Sequence, residues 1–320
     1  MNIILCFPVE PRHIAQIQAV AEPEYKVIDA GQERIAELLP RADIFCGHAK
    51  VPVPWDEVVA LGRLKWIQSS AAGLDHCLVP SVIASEIPVT SASGLFAPQV
   101  AEQTMAILLG LLRGMPTFYA AQRKKEYVRR STDDLCGKTV GIVGFGGNGR
   151  RIAEVLAPFG VRLLATDMFP VRRPEFVEQL WPAAELARLL RESDIVVLCV
   201  PLNAETSGMF GAEQFAIMKR NALLLNVARG QVVVEAELVA ALQSGRLGGA
   251  GLDVTETEPL PESSPLWDME HVVITPHVGA QSARRVDVTV DFFCDNLSRF
   301  RSGRPLKNQV DKQLGFPLPE

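Results

Sequence analysis

One stretch of this chain, from Lys138 to Asp167, restricts its fold more than any other: KTVGIVGFGGNGRRIAEVLAPFGVRLLATD. Thr139–Val143 is a short apolar run rich in β-branched residues, which favours a strand. Gly144, Gly146 and Gly149 then supply G-x-G-x-x-G. Arg150–Phe159 spaces Ile152, Val155, Leu156 and Phe159 along one helical face, and Gly160 ends that helix. Val161–Thr166 is a second apolar run, closing on Asp167. Each part has a physical task in a strand–loop–helix–strand unit that holds a dinucleotide. Gly144 permits the tight turn, Gly146 lets a pyrophosphate approach the backbone, and Gly149 lets the helix pack closely. The helix start offers N–H groups and positive dipole to phosphates. Asp167, ending the second strand, can accept hydrogen bonds from both ribose hydroxyls.

The chain has 320 residues, enough for two domains, and 48% hydrophobic with 22% charged residues is the balance of a globular protein. A net charge of −5 argues against a general nucleic-acid or membrane-surface binder. The longest apolar stretch, Met105–Leu112, is too short to span a bilayer, and the N-terminus MNIILCFPVEP lacks the features of a signal peptide. The six cysteines, Cys6, Cys46, Cys77, Cys136, Cys199 and Cys294, are scattered without a C-x-x-C. That pattern fits a reducing cytoplasm and points to neither a disulfide framework nor a metal site.

In the first hundred residues strand and helix signals alternate. Strands are expected at Asn2–Phe7, Tyr25–Ile28, Asp43–Cys46, Lys65–Gln68 and Ile87–Ser91, with helices at Pro11–Ala21, Glu33–Leu39 and Trp55–Leu61. The alternation implies a parallel sheet covered on both faces. Two loops at strand C-terminal ends, Gly47–Val51 and Ser69–His76, lie where open α/β sheets bind ligands. Pro98–Arg130 opens as a helix and breaks at Gly114–Pro116. It is more apolar than one helix on one sheet requires, so burial between domains or subunits is expected. The basic run Arg123–Arg130 reads as a solvated face. After the dinucleotide unit, helices are expected at Pro182–Arg191, Ala212–Ile217, Glu235–Gly245 and Val286–Phe300. Strands at Ile195–Val200, Leu223–Val227, Ala250–Val254 and Val272–Thr275 bring the second sheet to six. The last helix has no strand left to pair with and is expected to return to the N-terminal domain.

Three polar residues fall just past successive strands of that second sheet: Arg229 after LLLNVA, Glu258 in GLDVTETEP and His277 after VVITP. Parallel strands put these ends on one edge. Together they suit hydride transfer at a carbon that bears a hydroxyl beside a carboxylate. Arg229 can hold the carboxylate through two parallel charge-assisted bonds. His277 can give a proton to the developing alkoxide or take it in the reverse direction, help worth ~10²–10⁴ in rate. Glu258 can accept from the other ring nitrogen, which fixes the imidazole and favours its protonated form.

With these motifs in place the chain resembles the D-isomer-specific 2-hydroxyacid dehydrogenases across essentially its whole length. The matching stretches are VGIVGFGGNGRRIA with Asp167, VLCVPLNAETSGMF, LLLNVARGQVVVEAELVAAL, GAGLDVTETEPLPESSPLW and VVITPHVGA. The resemblance implies a catalytic trio of Arg229, Glu258 and His277, the residues already singled out. It implies NAD as cofactor, before NADP, held through Gly147–Asn148, Asp167, Val200–Pro201, Thr206, Val227, Asp253 and Gly279, with Thr104 near the nicotinamide. A substrate-carboxylate loop matches Ala72–Gly73, helping Arg229. The implied fold is α/β with two doubly wound parallel-sheet domains. One is a flavodoxin-like substrate domain at 1–100 and 285–320, and the other a Rossmann NAD-binding domain at 101–284. The resemblance also implies a homodimer formed through Val100–Arg130.

Some positions depart from the family. Asn148 stands where an apolar residue is common. The tail after Gly303 is short, so the regulatory domain of some phosphoglycerate dehydrogenases is not expected. The presumed substrate loops offer His48, Lys50 and His76 but no arginine, which favours a small unphosphorylated acid such as glyoxylate or hydroxypyruvate. Arg172 and Arg173 could still support NADP. Two other readings use the same fold: a formate- or phosphite-type dehydrogenase, against which Glu258 counts, and a non-enzymatic NAD-sensing protein of the corepressor kind.

Overall fold

Short apolar runs bounded by Gly, Pro and charged residues become parallel strands here because their side chains are needed on both faces at once. The computed structural model describes residues 1–318; residues 319 and 320, the end of the segment expected in the substrate domain, lie outside the described residues. The chain forms two compact units, Met1–Leu95 with Ser282–Leu318, and Phe96–Gln281.

The first unit holds β1 (Asn2–Cys6), β2 (Lys26–Asp29), β3 (Ile44–Gly47), β4 (Trp66–Ser69) and β5 (Val89–Thr90). They pair in parallel in the order β2-β1-β3-β4-β5, the doubly wound order of a flavodoxin-like sheet. Along β1 the alternation is strict. Ile4 and Cys6 pack with Phe45 and Ile67 on one face, while Ile3 and Leu5 pack with Trp66, Phe293 and Leu297 on the other. Each large apolar side chain fully buried in this way stabilises by about 1.5–3 kcal/mol. The helix Arg285–Arg301 supplies Phe293 and Phe300, whose rings stack on Trp66 at centroid distances of 5.3 and 5.4 Å. The Trp66 indole N–H, deep in the core, donates to Thr90 Oγ1 at 2.8 Å.

The second unit holds β6 (Thr139–Val143), β7 (Arg162–Asp167), β8 (Gln179–Pro182), β9 (Ile195–Leu198), β10 (Ala222–Asn226), β11 (Leu247–Leu252) and β12 (Val272–Ile274). The parallel order is β12-β11-β10-β9-β6-β7-β8. Numbered within the unit, that is the 3-2-1-4-5-6 order of a dinucleotide-binding sheet with one strand added, and it reverses between β6 and β9. The sheet therefore has seven strands, where the sequence pattern led to six. The strand that escaped notice, β8, lies at the sheet edge with its first and last residues exposed. Edge placement removes the apolar alternation by which a strand is recognised. A helix expected to open at Pro182 instead begins at Leu186, after β8 and a short 3₁₀ turn. A small antiparallel pair, β13 (Val310–Asp311) with β14 (Phe316–Pro317), closes the described chain in the first unit.

The segment expected as one apolar helix with a break forms two, Ala97–Leu112 and Met115–Arg123, with Gly114 left-handed at φ +67° between them. The first packs beside the fingerprint helix Gly147–Leu156 on the same face of the seven-stranded sheet. Gly251 in β11 makes room for it, since a Cβ there would lie 2.2 Å from Ile107 Cγ2. Much of its excess apolarity is thus absorbed inside its own unit. No single helix among the described residues is long and apolar enough to cross a membrane.

Candidate active site

The glycine loop at the end of β6 is shaped by close approaches. Gly144 adopts φ +92°, and a Cβ there would stand 2.9 Å from Cys199 C and Val200 N. At Gly149 a Cβ would sit 2.1 Å from the Gly144 carbonyl oxygen, so the third glycine admits the loop backbone itself. Gly146 is different. Nothing of the protein lies within 4 Å of its Cβ position, so its missing side chain leaves a cradle open to a ligand. The helix begins at Gly147 with no side-chain cap, leaving first-turn N–H groups for an anion. Asn148 is half-buried in that turn, and Phe145, between the first two glycines, is fully buried with the Arg150 guanidinium 5.1 Å over its ring. These features fit a dinucleotide diphosphate.

Asp167 stands at the end of β7 as expected, but it does more than face outward. Its Oδ2 accepts from the Phe145 N–H at 2.6 Å and its Oδ1 from the Phe169 N–H at 2.9 Å. An ionised carboxylate has about four acceptor positions, so two remain for a ribose. Arg150 donates to the Arg172 carbonyl at 3.0 Å, and Arg173 is turned back onto the carbonyls of Val177 and Glu178.

The next positions line the loops after β9 and β10. Val200 and Pro201 are half-buried. The Thr206 hydroxyl donates to the Pro201 carbonyl at 2.6 Å and accepts from the Asn203 N–H at 2.9 Å, so it closes its own loop. Val227 is buried at the end of β10. Thr104 is fully buried, its hydroxyl donating to the Val100 carbonyl one helical turn back at 2.7 Å.

Arg229, Glu258 and His277 follow the adjacent strands β10, β11 and β12. The turn that carries Arg229 is set by Asn226, which the sequence reading passed over. The Asn226 amide donates to the Arg229 carbonyl at 2.9 Å, and its oxygen accepts from the Ala228 N–H at 3.1 Å. Gly230 pins this turn to the loop after β11, where a Cβ would fall 1.8 Å from the Thr255 carbonyl oxygen. Arg229 itself donates to the Ala228 carbonyl at 2.7 Å and is half-buried. Glu258 Oε2 lies 2.9 Å from His277 Nδ1, and Glu258 Oε1 accepts from the Thr255 N–H at 3.3 Å. A carboxylate only accepts, so the Nδ1 nitrogen carries the proton and Nε2 is left to serve a ligand.

His277 has φ +54°, a left-handed conformation that costs a non-glycine residue about 1–2 kcal/mol. Asp253, 3% exposed, offsets that strain. Its peptide carbonyl accepts from the His277 N–H at 2.8 Å. Its Oδ1 accepts from Thr275 Oγ1 at 2.6 Å and the Val278 N–H at 3.0 Å, and its Oδ2 from the Gly279 N–H at 2.8 Å. A Cβ on Gly279 would stand 2.7 Å from Asp253 Oδ2. Asp253 and Gly279, singled out as cofactor contacts, therefore build the histidine loop together.

In the first unit, the two candidate loops leave neighbouring strands β3 and β4. Ser70 N–H donates to the Gly47 carbonyl, tying them together at 3.1 Å. His48 and His76 stack across them with centroids 4.0 Å apart and planes 15° from parallel. Ala72 is exposed and Gly73 half-buried near the tip of the second loop, and Lys50 is exposed on the first. Neither His76 ring nitrogen meets a well-aligned partner. Burial, then the neighbouring His48, lower its pKa to about 3, and the nearby Gly47 carbonyl opposes this only weakly. Among the described residues no group of three His, Cys, Asp or Glu side chains could hold a metal ion.

Comparison with known proteins bears on this geometry. The family model for the D-isomer specific 2-hydroxyacid dehydrogenase NAD binding domain matches residues 105–279. A glycerate dehydrogenase of Methylorubrum extorquens is 33% identical over 294 residues, spanning 88% of this chain and 90% of that protein. A glyoxylate reductase of Korarchaeum cryptofilum is 33% identical over 287 residues, with 88% and 86% spanned. The crystal structure of an NADPH-dependent glyoxylate/hydroxypyruvate reductase from Sinorhizobium meliloti, in complex with NADP and sulfate, superposes with a TM-score of 0.83. It is 31% identical and covers 98% of this chain and 99% of its own.

Proposed function

This chain belongs to the D-isomer specific 2-hydroxyacid dehydrogenase family, and from that premise we propose that it reduces a small unphosphorylated 2-oxoacid to its D-2-hydroxyacid, reversibly. Glyoxylate and hydroxypyruvate are the substrates of first choice, the compounds named for the Sinorhizobium meliloti reductase. The single observation that carries the reading is the 2.9 Å bond between Glu258 and His277, on loops after adjacent strands beside the one that bears Arg229. A nicotinamide dinucleotide held at the Gly144–Gly149 loop and Asp167 would supply the hydride. His277 Nε2 holds the proton that goes to the substrate oxygen, and Glu258 keeps the ring in the orientation that exposes it. Arg229 holds the substrate carboxylate with paired N–H donors, and the backbone N–H groups of Ala72 and Gly73 are read as carboxylate donors of the first unit.

A nicotinamide dinucleotide is the cofactor, and we read NAD as preferred over NADP. Asp167 keeps acceptor positions for ribose hydroxyls, and its charge repels a 2′-phosphate. Val200, Pro201, Thr206, Val227 and Thr104 are read as lining the cofactor. Tyr119, Tyr127 and Val128 are exposed apolar side chains within the Val100–Arg130 segment, which supports a homodimer formed there. The six free thiols support a reducing, cytoplasmic setting.

Substituting His277→Ala tests the assignment. Turnover of the 2-oxoacid should fall by ~10²–10⁴, while the NADH dissociation constant from fluorescence titration stays within about twofold. A variant that keeps more than about a tenth of the rate contradicts the role.

A further inference from the structure

We propose that Gln103 is a positioning residue for the reaction, acting on His277 through Thr275 and Asp253. The inference rests on the reading of His277 as proton donor, and it begins from one hydrogen bond that the family motifs do not require. Gln103 Nε2, on the helix Ala97–Leu112, donates to Thr275 Oγ1 at 3.0 Å. A threonine hydroxyl has one proton and two acceptor positions. Its proton goes to Asp253 Oδ1, 2.6 Å away, because an ionised carboxylate only accepts. The Thr275 oxygen must then receive, so the group that Gln103 turns toward it must be the NH₂ and not the carbonyl. The direction of every bond in this chain follows from the charge at one end.

The consequence reaches His277 by a short path. Asp253 holds the loop from Thr275 to Gly279 through four acceptor contacts, one of them to the His277 N–H, and His277 is in a conformation it would not keep unaided. The Thr275 hydroxyl is the only side-chain donor to Asp253 among the described residues, the remaining contacts being backbone N–H groups. Without Gln103 the Thr275 oxygen loses the donor that fixes its hydroxyl toward Asp253, and the carboxylate's shortest bond is left without its support. The helix that carries Gln103 is locked by Val100, Ile107 and Leu108 in the core of the unit, so the donor is fixed to a rigid element. Gln103 is thus the buttress that transmits the rigidity of the helix to the histidine loop.

The test compares Gln103→Met, which keeps size and removes the donor, with Thr275→Val and Thr275→Ser, the last of which keeps the hydroxyl. Two readouts are taken: steady-state kinetics with hydroxypyruvate and NADH, and amide hydrogen exchange of a peptide covering 275–281. Gln103→Met and Thr275→Val should each lower kcat about tenfold, with the NADH dissociation constant within about twofold, and exchange in the peptide should rise about tenfold. Thr275→Ser should recover most of both losses. Unchanged exchange and kcat in Gln103→Met would overturn the proposal, as would weaker NADH binding with kcat intact, which would make Gln103 a cofactor contact. If the unaltered chain turned over no 2-oxoacid, the functional reading would fail on its own, while the exchange data would still decide whether Gln103 holds the loop.

Discussion

Two loops of the seven-stranded unit are each held by an aspartate that accepts backbone N–H groups, yet the two aspartates are left in different states. Asp167 takes the N–H groups of Phe145 and Phe169, one on each oxygen, and remains half-exposed at the end of β7. Asp253 takes Thr275, Val278 and Gly279 on its side chain and His277 on its carbonyl, and is buried. The first shapes its loop and still has acceptor positions to offer a ligand. The second gives three of its about four acceptor positions to the protein's own donors. A carboxylate at a strand end therefore has no single meaning: the count of internal donors decides whether it recognises something or holds something else in place.

Substituting both aspartates by asparagine separates the two states. In Asp253→Asn one N–H donor of the loop must face an amide NH₂, and the charge-assisted character of the other bonds is lost. Stability should fall by about 3 kcal/mol in urea unfolding, with kcat reduced at least about tenfold and NADH binding affected less. A loss confined to NADH affinity would mean that Asp253 recognises cofactor instead.

His76 is half-buried, but its ring nitrogens are shut from solvent with no such set of partners. His76 has a folded pKa lowered to about 3, against an unfolded reference near 6.5. Between these values the unfolded chain binds the proton and the folded one does not. The stability present above about pH 6.5 is therefore lost as pH falls toward 3. His76→Phe keeps a ring against His48 and removes the titration. From pH 7 to pH 5 the wild type should lose roughly 2 kcal/mol more than the variant, read from paired denaturation curves. Parallel losses would show that His76 is not held neutral.

Asp167→Asn should have the smallest effect. The loop keeps most of its bonds, and stability should change by about 1 kcal/mol. The ratio of kcat/KM for NADH over NADPH should fall about tenfold, equivalent to about 1.4 kcal/mol. A ratio unmoved by the substitution would place cofactor choice elsewhere, with Arg150 and Arg172 the next residues to alter.

Much of this was legible in the sequence where periodicity or geometry leaves a signature. The first unit's five strands announced themselves by apolar runs, and Pro11–Ala21 has the helix bounds its pattern implied. β8 did not, because an edge strand with exposed ends has little pattern to show. Gly144 could be read as a tight turn and Gly149 as a close packing point, where a Cβ would meet the Gly144 carbonyl oxygen first and Ile142 of β6 next, at 3.2 Å. Arg229, Glu258 and His277 stood out because charged residues after apolar strands are conspicuous. The residues that aim them, Asn226, Gln103 and Thr275, were invisible because their partners lie far along the chain or in a turn that had first to form. Asp253 was noticed for a motif, while its occupancy by internal donors appears only in three dimensions.

The proposed function requires that the loop clamped by Asp253 present His277 as proton donor to a 2-oxoacid. The most direct measurement is NADH consumption by the purified protein across glyoxylate, hydroxypyruvate, pyruvate and larger 2-oxoacids, with formate and NAD as the opposite arm and His277→Ala alongside. Turnover of at least one small 2-oxoacid to the D-hydroxyacid, lost in the variant, is the expected result. Oxidation of formate with no 2-oxoacid reduced, or 2-oxoacid reduction that survives in the variant, would contradict it.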